Sequence, residues 1–175
     1  MREMIFMREM ISTLLLALSL VLSLAACGGS APPAQPDIDL ADFCADVQEN
    51  YEWPVLMSLT EDESLRKMLD SNYPGLSDIS TKQCEVYMAA MSAVVGEIAL
   101  VEVEDSEDVK AVEGIFQARI AYQVGDETNP GGAWYPASIE DWGKDSCIAS
   151  NGNYIMLAVG DHAAEAVADF NTLFV

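Results

Sequence analysis

Cys27 has the clearest chemical role in this chain, because it ends the run Leu-Ala-Ala-Cys. A cysteine directly after small residues and an apolar run matches the processing site of lipoprotein precursors, where the thiol takes a diacylglyceryl group and cleavage frees the amine. The apolar run, residues 11–26, is shorter than the roughly 20 residues of a membrane-spanning helix and suits a secretory signal. We therefore predict a lipoprotein signal peptide over residues 1–26 and a lipid on Cys27.

The residues after the signal predict a flexible tether, because residues 27–37 combine the lipidated cysteine with Gly, Ser and Pro. Two acyl chains hold a protein stably on a bilayer, whereas one chain binds only marginally. We expect the protein to be lipid-anchored on the extracytoplasmic face of the cell membrane. The run Met-Arg-Glu-Met-Ile occurs twice, so the true start is either Met1 or Met7, and the choice changes nothing downstream.

The rest of the sequence carries no catalytic or metal-binding motif, so we predict a protein that is not an enzyme and has no cofactor or metal. The single histidine, His162, has no nucleophile elbow to act with, and one histidine excludes the common zinc sites. The acidic cluster over residues 102–108 lacks the glycine turn of a calcium loop. We expect that cluster to be a solvated junction between a strand and a helix.

Three aromatic residues are the candidate contacts to a ligand or partner: Trp134, Tyr135 and Trp142. They lie in residues 125–143, which the Gly and Pro content predicts to be one long loop, and loops of that length are usually functional or mobile. Aromatic residues on a loop stack on sugar rings or anchor protein partners. The alternative is that these side chains fold down as a small core under the loop.

The composition is strongly acidic, with 29 Asp and Glu against 8 Lys and Arg and a formal net charge of −21. That charge excludes nucleic acid as a partner and argues against binding to anionic lipid. The cysteines other than Cys27 are Cys44, Cys84 and Cys147, and their spacing matches no zinc or redox motif. They are either small buried residues or one disulfide with one free thiol.

Apolar patterning predicts an α+β fold. We expect a helix from Asp37 to Asn50, a short extended piece over residues 55–59 and a second helix opened by a capping box at Thr60. Four strands follow, over residues 82–91, 94–104, 145–150 and 153–159. A helix over residues 105–122 follows the first pair, and a helix capped by Asp161 follows the second.

These elements predict a small antiparallel sheet of about four strands, built from two ββα units with helices packed on one face and preceded by one or two N-terminal helices. Asn151-Gly152 predicts the hairpin turn between the last two strands, in a type I′ turn. Residues 38–175 then form a single acidic α+β domain.

The order of these features resembles the small lipoproteins of Gram-positive gut bacteria catalogued as domain of unknown function 4358. The resemblance covers roughly residues 40–174. It rests on Trp-Pro-Val-Leu-Met from Trp53, Gly-Glu-Ile-Ala from Gly96, Tyr135-Pro136 and Gly-Asn-Tyr from Gly152. The resemblance implies lipoprotein status and the extent of the fold. It implies no activity, because that family has no established one.

We therefore predict a membrane-anchored extracytoplasmic lipoprotein that acts as a non-catalytic binding or interaction module of the cell envelope. Its partners would be the membrane, through Cys27, and an envelope protein or small solute. The alternative is a solute-binding lipoprotein that takes a sugar, peptide or cation with the aromatic loop over residues 125–143. A hydrolase with paired carboxylates is a third alternative. A closed polar pocket would favour the solute binder, and an exposed apolar patch would favour a protein partner.

Overall fold

The computed structural model describes residues 36–175, which form one compact unit. The predicted signal peptide, Cys27 and most of the predicted tether lie outside the described residues. The helices are α1 (Leu40–Asn50), α2 (Arg66–Asn72), α3 (Val109–Val124), α4 (Pro136–Lys144) and α5 (Ala163–Thr172). The strands are β1 (Leu56–Ser58), β2 (Thr81–Ala89), β3 (Glu97–Val103), β4 (Ser146–Asn151) and β5 (Tyr154–Val159). Three short 3-10 turns, Glu63–Leu65, Leu76–Asp78 and Ser106–Asp108, complete the list of elements.

The five strands form one antiparallel sheet in the order β1-β2-β3-β5-β4. The predicted α+β class and the two ββα units are therefore confirmed, and the short extended piece over residues 55–59 supplies a fifth strand. The two units join through their second strands: Glu97 in β3 lies opposite Val159 in β5, and Glu102 lies opposite Tyr154. These two strands are central in the sheet, and every residue of both is buried.

Helices cover both faces of the sheet, so the prediction that they pack on one face is wrong. One core contains α2, α3 and α4, with Leu69, Phe116 and Trp142 against Val101 and Leu157. The other core contains α1 and α5, which pack against the opposite face of the same strands through residues such as Leu40, Val47, Ala166 and Phe170. The reason is that β3 and β5 are apolar on both faces, and each face needs its own covering layer.

The structure also corrects the segment predicted as one long loop. Residues 136–144 form α4, which begins with Pro136 at a position where a missing N–H costs nothing. The connection between α3 and α4 is therefore residues 125–135. Three predicted helix caps shift by one or two residues: Asp39 caps α1, Asp62 caps the 3-10 turn before α2, and His162 stands at the start of α5.

The hairpin between β4 and β5 is present, but its turn differs from the predicted one. Asn151 still pairs with Tyr154, so the two turn residues are Gly152 and Asn153. Only Gly152 has a positive φ, of 57°, and no non-glycine residue among residues 36–175 has one. A glycine with positive φ at the first turn position is typical of a type II′ turn. No helix in this described part of the chain is long and apolar enough to cross a membrane.

Candidate functional site

Two neighbouring clefts lie at one end of the sheet, where β2 ends, β3 begins and β5 ends. The Trp134 cleft has a volume of about 250 Å³ and is lined by Met88, Met91, Trp134, Trp142 and their neighbours. The Trp53 cleft has a volume of about 570 Å³ and is lined by Glu52, Trp53, Tyr135, Asp141, Asp161 and their neighbours. Both clefts share Val94, Val95 and Ser138, so they form one continuous concave surface.

A buried ion pair forms the base of the Trp134 cleft. The Arg119 Nε and Nη2 atoms each donate to one carboxylate oxygen of Glu97 at 2.8 Å, and the two side chains are 1% and 2% exposed. The Tyr73 hydroxyl donates to the same carboxylate. The guanidinium carbon also lies 5.0 Å from the ring centroid of Trp142 and 5.8 Å from that of Tyr73, which gives it two cation–π contacts.

The charges of Glu97 and Arg119 neutralise each other. Burial raises the pKa of Tyr73, and the Glu97 charge raises it further, so the hydroxyl stays protonated and keeps donating. Burial would lower the pKa of Arg119, but the hydrogen bonds and charge of Glu97 outweigh it and the pKa is raised. Bidentate charge-assisted bonds hold both groups in one geometry. The Trp134 cleft therefore presents an apolar wall above a satisfied polar base.

The connection over residues 125–135 is folded tightly back on the end of α3, and this fold positions Trp134. The amides of Gly132 and Ala133 donate to the carbonyls of Tyr122 and Gln123 at 2.7 and 3.2 Å. The Asp126 carboxylate accepts from the Thr128 and Asn129 amides at 2.7 and 2.9 Å. The Thr128 hydrogen bonds lower the pKa of Asp126, because they stabilise its ionised form.

Glycines at three places allow the close approaches that shape this end of the molecule. Gly125 has φ 71° and ψ −169°, which is accessible essentially to glycine alone. A Cβ at Gly96 would overlap the ring of Pro54. Gly160 has φ 131° and lies against Trp53, whose ring would be 3.4 Å from an added Cβ. The segment Trp53-Pro54 is thus packed over two glycines at the ends of β3 and β5.

The three aromatic residues predicted as contacts lie near one another but in different environments. Trp134 is 89% exposed and Tyr135 is 51% exposed, and both stand at the rims of the clefts. Trp142 is 4% exposed and belongs to the core, where it contributes to the base of the Trp134 cleft. The alternative weighed for all three, a small core under the loop, does not describe the two exposed residues, and Trp142 instead joins the main core on the α3 face of the sheet.

The exposed rim is larger than the sequence analysis predicted. Met91, Val94 and Tyr122 are also exposed large apolar residues, and they line the Trp134 cleft together with Trp134. They come from two separate chain segments, the connection between β2 and β3 and the end of α3, and no sequence pattern linked these segments. Glu97 and Arg119 do have a sequence signal. A glutamate in an apolar strand and an arginine on the apolar stripe of α3 together predict a buried ion pair. Arg119 stands three residues after Phe116 and seven after Val112, both of them buried on that stripe.

The other residues considered for chemistry lie away from both clefts or are already engaged. His162 stacks on Tyr51 with ring centroids 5.5 Å apart, and its Nδ1 is 4.0 Å from a Glu165 oxygen. Burial would raise the pKa of Glu102, but hydrogen bonds from Lys82 and Gln83 outweigh it and the pKa is lowered. No group of three or more His, Cys, Asp or Glu side chains within residues 36–175 is placed to hold a metal ion.

Cys44, Cys84 and Cys147 are free thiols. Cys84 packs in the core on the α3 face, whereas Cys44 and Cys147 pack on the α1 face, so the sheet separates Cys84 from both others. Burial raises the pKa of Cys84 to about 11, and burial likewise raises the pKa of Cys44. Thiols with raised pKa values are poor nucleophiles. Of the two alternatives, the one with a disulfide does not hold: Cys44 is a buried residue, and Cys84 and Cys147 are half-buried free thiols.

Comparison with known protein families, with curated proteins and with solved structures found no match to this chain. The resemblance to the lipoproteins of domain of unknown function 4358 therefore stays a prediction.

Proposed function

We propose that this protein is a membrane-anchored extracytoplasmic lipoprotein whose domain acts as a non-catalytic binding module of the cell envelope. The Leu-Ala-Ala-Cys run at Cys27 supports the anchor. The observation that carries the binding role is the exposed apolar rim of Met91, Val94, Tyr122, Trp134 and Tyr135 around two adjoining clefts. Trp and Tyr are among the residues that dominate binding energy at interfaces, and Met is enriched there.

The alternative of a small-solute binder has its own support in the volume of the Trp53 cleft. At about 570 Å³ it falls in the range of small-molecule sites. The Trp134 cleft, at about 250 Å³, falls slightly below that range and has no free charged group at its base. We favour the interaction module because the exposed aromatic side chains lie at the rims rather than inside an enclosed pocket.

The anchor is tested by Cys27→Ala. This change should leave the leader uncleaved and abolish metabolic labelling with a radioactive fatty acid. Incorporation of fatty acid into the Cys27→Ala protein, equal to that of the unchanged protein, would disprove lipidation at Cys27.

The binding role is tested in intact cells by placing the photo-crosslinking residue p-benzoylphenylalanine at Tyr135. The matched control carries the same residue at Glu104, an exposed position at the opposite end of the sheet. We expect a discrete protein adduct from the first position and none from the second. Identical adduct patterns from both positions, or no adduct from either, would argue against a binding module that uses this end of the sheet.

A further inference from the structure

We propose that the two clefts together bind an extended peptide segment that carries an apolar side chain beside basic side chains. The apolar side chain would enter the Trp134 cleft, and the basic side chains would lie over the Trp53 cleft. This inference rests on the proposed binding function and names the chemistry of its partner.

The shape of the surface favours a segment that spans both clefts. They share Val94, Val95 and Ser138, so a chain crossing the connection between β2 and β3 contacts both at once. Successive residues of an extended chain advance about 3.3–3.6 Å, so a few residues place side chains in each cleft.

The charges of the surface favour basic side chains. Glu52, Asp141 and Asp161 line the Trp53 cleft, and none of them forms an ion pair with a described residue. Among residues 36–175, Arg119 is the only basic residue that lines either cleft, and Glu97 neutralises it. Lys144, the basic residue of α4, is engaged by Glu140. The exposed ring of Tyr135, which lines the same cleft as these carboxylates, also allows a cation–π contact with a bound Lys or Arg.

The same charges argue against two other occupants. A second copy of this chain would bring its own three carboxylates to the contact and a formal net charge of −21. An anionic lipid surface would be repelled in the same way. The chain also enters the domain at the far end of the sheet, where the Pro36 carbonyl accepts from the Tyr154 hydroxyl at 3.0 Å. The occupant that matches the surface is a basic and apolar segment of another polypeptide.

The test is a titration of the mature acylated protein, residues 27–175, in phosphatidylcholine nanodiscs, with empty nanodiscs as the blank. Three fluorescent hexapeptide amides are compared by anisotropy: alternating Lys and Phe, alternating Lys and Ser, and alternating Glu and Phe. We expect the Lys/Phe peptide to bind at least about tenfold more tightly than either comparator, since each lacks one of the two contacts. Equal affinity of the Lys/Phe and Lys/Ser peptides would overturn the inference.

Two triple variants with the same charge change locate the site. Glu52→Gln/Asp141→Asn/Asp161→Asn should weaken the Lys/Phe peptide about tenfold, as expected for three partly exposed charge contacts. Glu104→Gln/Asp105→Asn/Glu107→Gln, at the other end of the sheet, should change it less than about twofold at 0.15 M salt, where the screening length is about 8 Å. If both variants weaken peptide binding equally, the peptide is attracted by the overall charge of the protein, and the proposed location of the site is wrong. Melting temperatures of both variants check that the fold is kept.

Three further outcomes would also overturn the inference. Tetramethylammonium that binds as tightly as the Lys/Phe peptide would make the occupant a small cation. A dimer in sedimentation velocity that Met91→Ser/Trp134→Ala abolishes would make it a second copy. In the third outcome, the Lys/Phe peptide does not bind although the photo-crosslinker at Tyr135 still captures a protein in cells. This result would support the binding module and disprove only the proposal that its partner is a basic and apolar segment.

Discussion

Trp134 and Trp142 lie in one short stretch of sequence and have opposite roles in the structure. Residue type could not separate them, because aromatic side chains serve both cores and binding surfaces. The helical phase set by Pro136 does separate them, since Ser138 and Trp142 are four residues apart and lie on the buried side of α4. Trp134 precedes the helix and projects from the folded connection, so its exposure depends on contacts that no local pattern encodes.

Substituting these two tryptophans should therefore have different effects on stability. Trp142→Ala removes a buried ring from the core and from the Arg119 guanidinium, and we expect it to lower the free energy of unfolding by about 3–5 kcal/mol. Trp134→Ala removes an exposed ring and should change it by less than about 0.5 kcal/mol. Urea unfolding followed by circular dichroism measures both. A large loss for Trp134→Ala would place its ring in the core rather than at the rim.

The Glu97–Arg119 pair gives a second prediction at this scale. Arg119→Met leaves a carboxylate buried and unpaired, which should lower the free energy of unfolding by about 3–5 kcal/mol. The matched control is Tyr73→Phe/Glu97→Leu/Arg119→Met, which removes all three polar groups and should recover most of that loss, because an apolar replacement avoids desolvating charges. If Arg119→Met and the triple variant lose the same amount in urea unfolding, the loss comes from packing and the ion pair contributes little.

The elements of the sheet were largely predictable and their arrangement was less so. Alternating and continuous apolar runs marked β2, β3, β4 and β5 to within a few residues, because strand patterning depends on burial that neighbouring residues share. Because β3 and β5 carry apolar residues on both faces, the sequence implied that helices cover both faces of the sheet. The path of each helix to its own face depends on connections whose geometry is not local. Helix α4 was missed because its Gly- and Pro-rich flanks dominated the prediction.

Alanine substitutions at two glycines test whether the connection after α3 has the backbone path described above. Gly125→Ala places a Cβ where φ is 71° and ψ is −169°, against the Asn129 carbonyl, and should lower the free energy of unfolding by about 1–3 kcal/mol. Gly114→Ala, in the exposed middle of α3 with nothing within 4 Å of the new Cβ, should raise it by about 0.5–1 kcal/mol. Thermal unfolding of both variants should therefore shift in opposite directions. A stabilising Gly125→Ala would mean that the connection adopts another backbone path.

At the scale of the whole molecule, the domain has two distinct ends. The chain enters at one end, where Gln83 accepts from the Leu40 amide at 2.9 Å and donates to the Ile38 carbonyl at 2.7 Å. The exposed acidic residues at the start of the 3-10 turn before α3 lie at that same end. The clefts lie at the other end, and Glu102 comes five residues after Glu97 in β3, or about 17 Å along the strand. If Cys27 is lipidated, we expect the clefts, at the end of the domain opposite this entry point, to lie on average farther from the bilayer than the entry point does.

This orientation can be measured on vesicles. Acylated protein with Cys84→Ser and Cys147→Ser is labelled with a donor dye at Glu104→Cys or at Met91→Cys, while buried Cys44, whose pKa is raised by burial, stays protonated and unreactive. Energy transfer to an acceptor lipid in phosphatidylcholine vesicles should be greater from position 104 than from position 91. Equal transfer would mean that the tether lets the domain tumble freely, and greater transfer from position 91 would turn the clefts towards the membrane. Protein that fails to float with the vesicles would argue against the anchor rather than against the orientation.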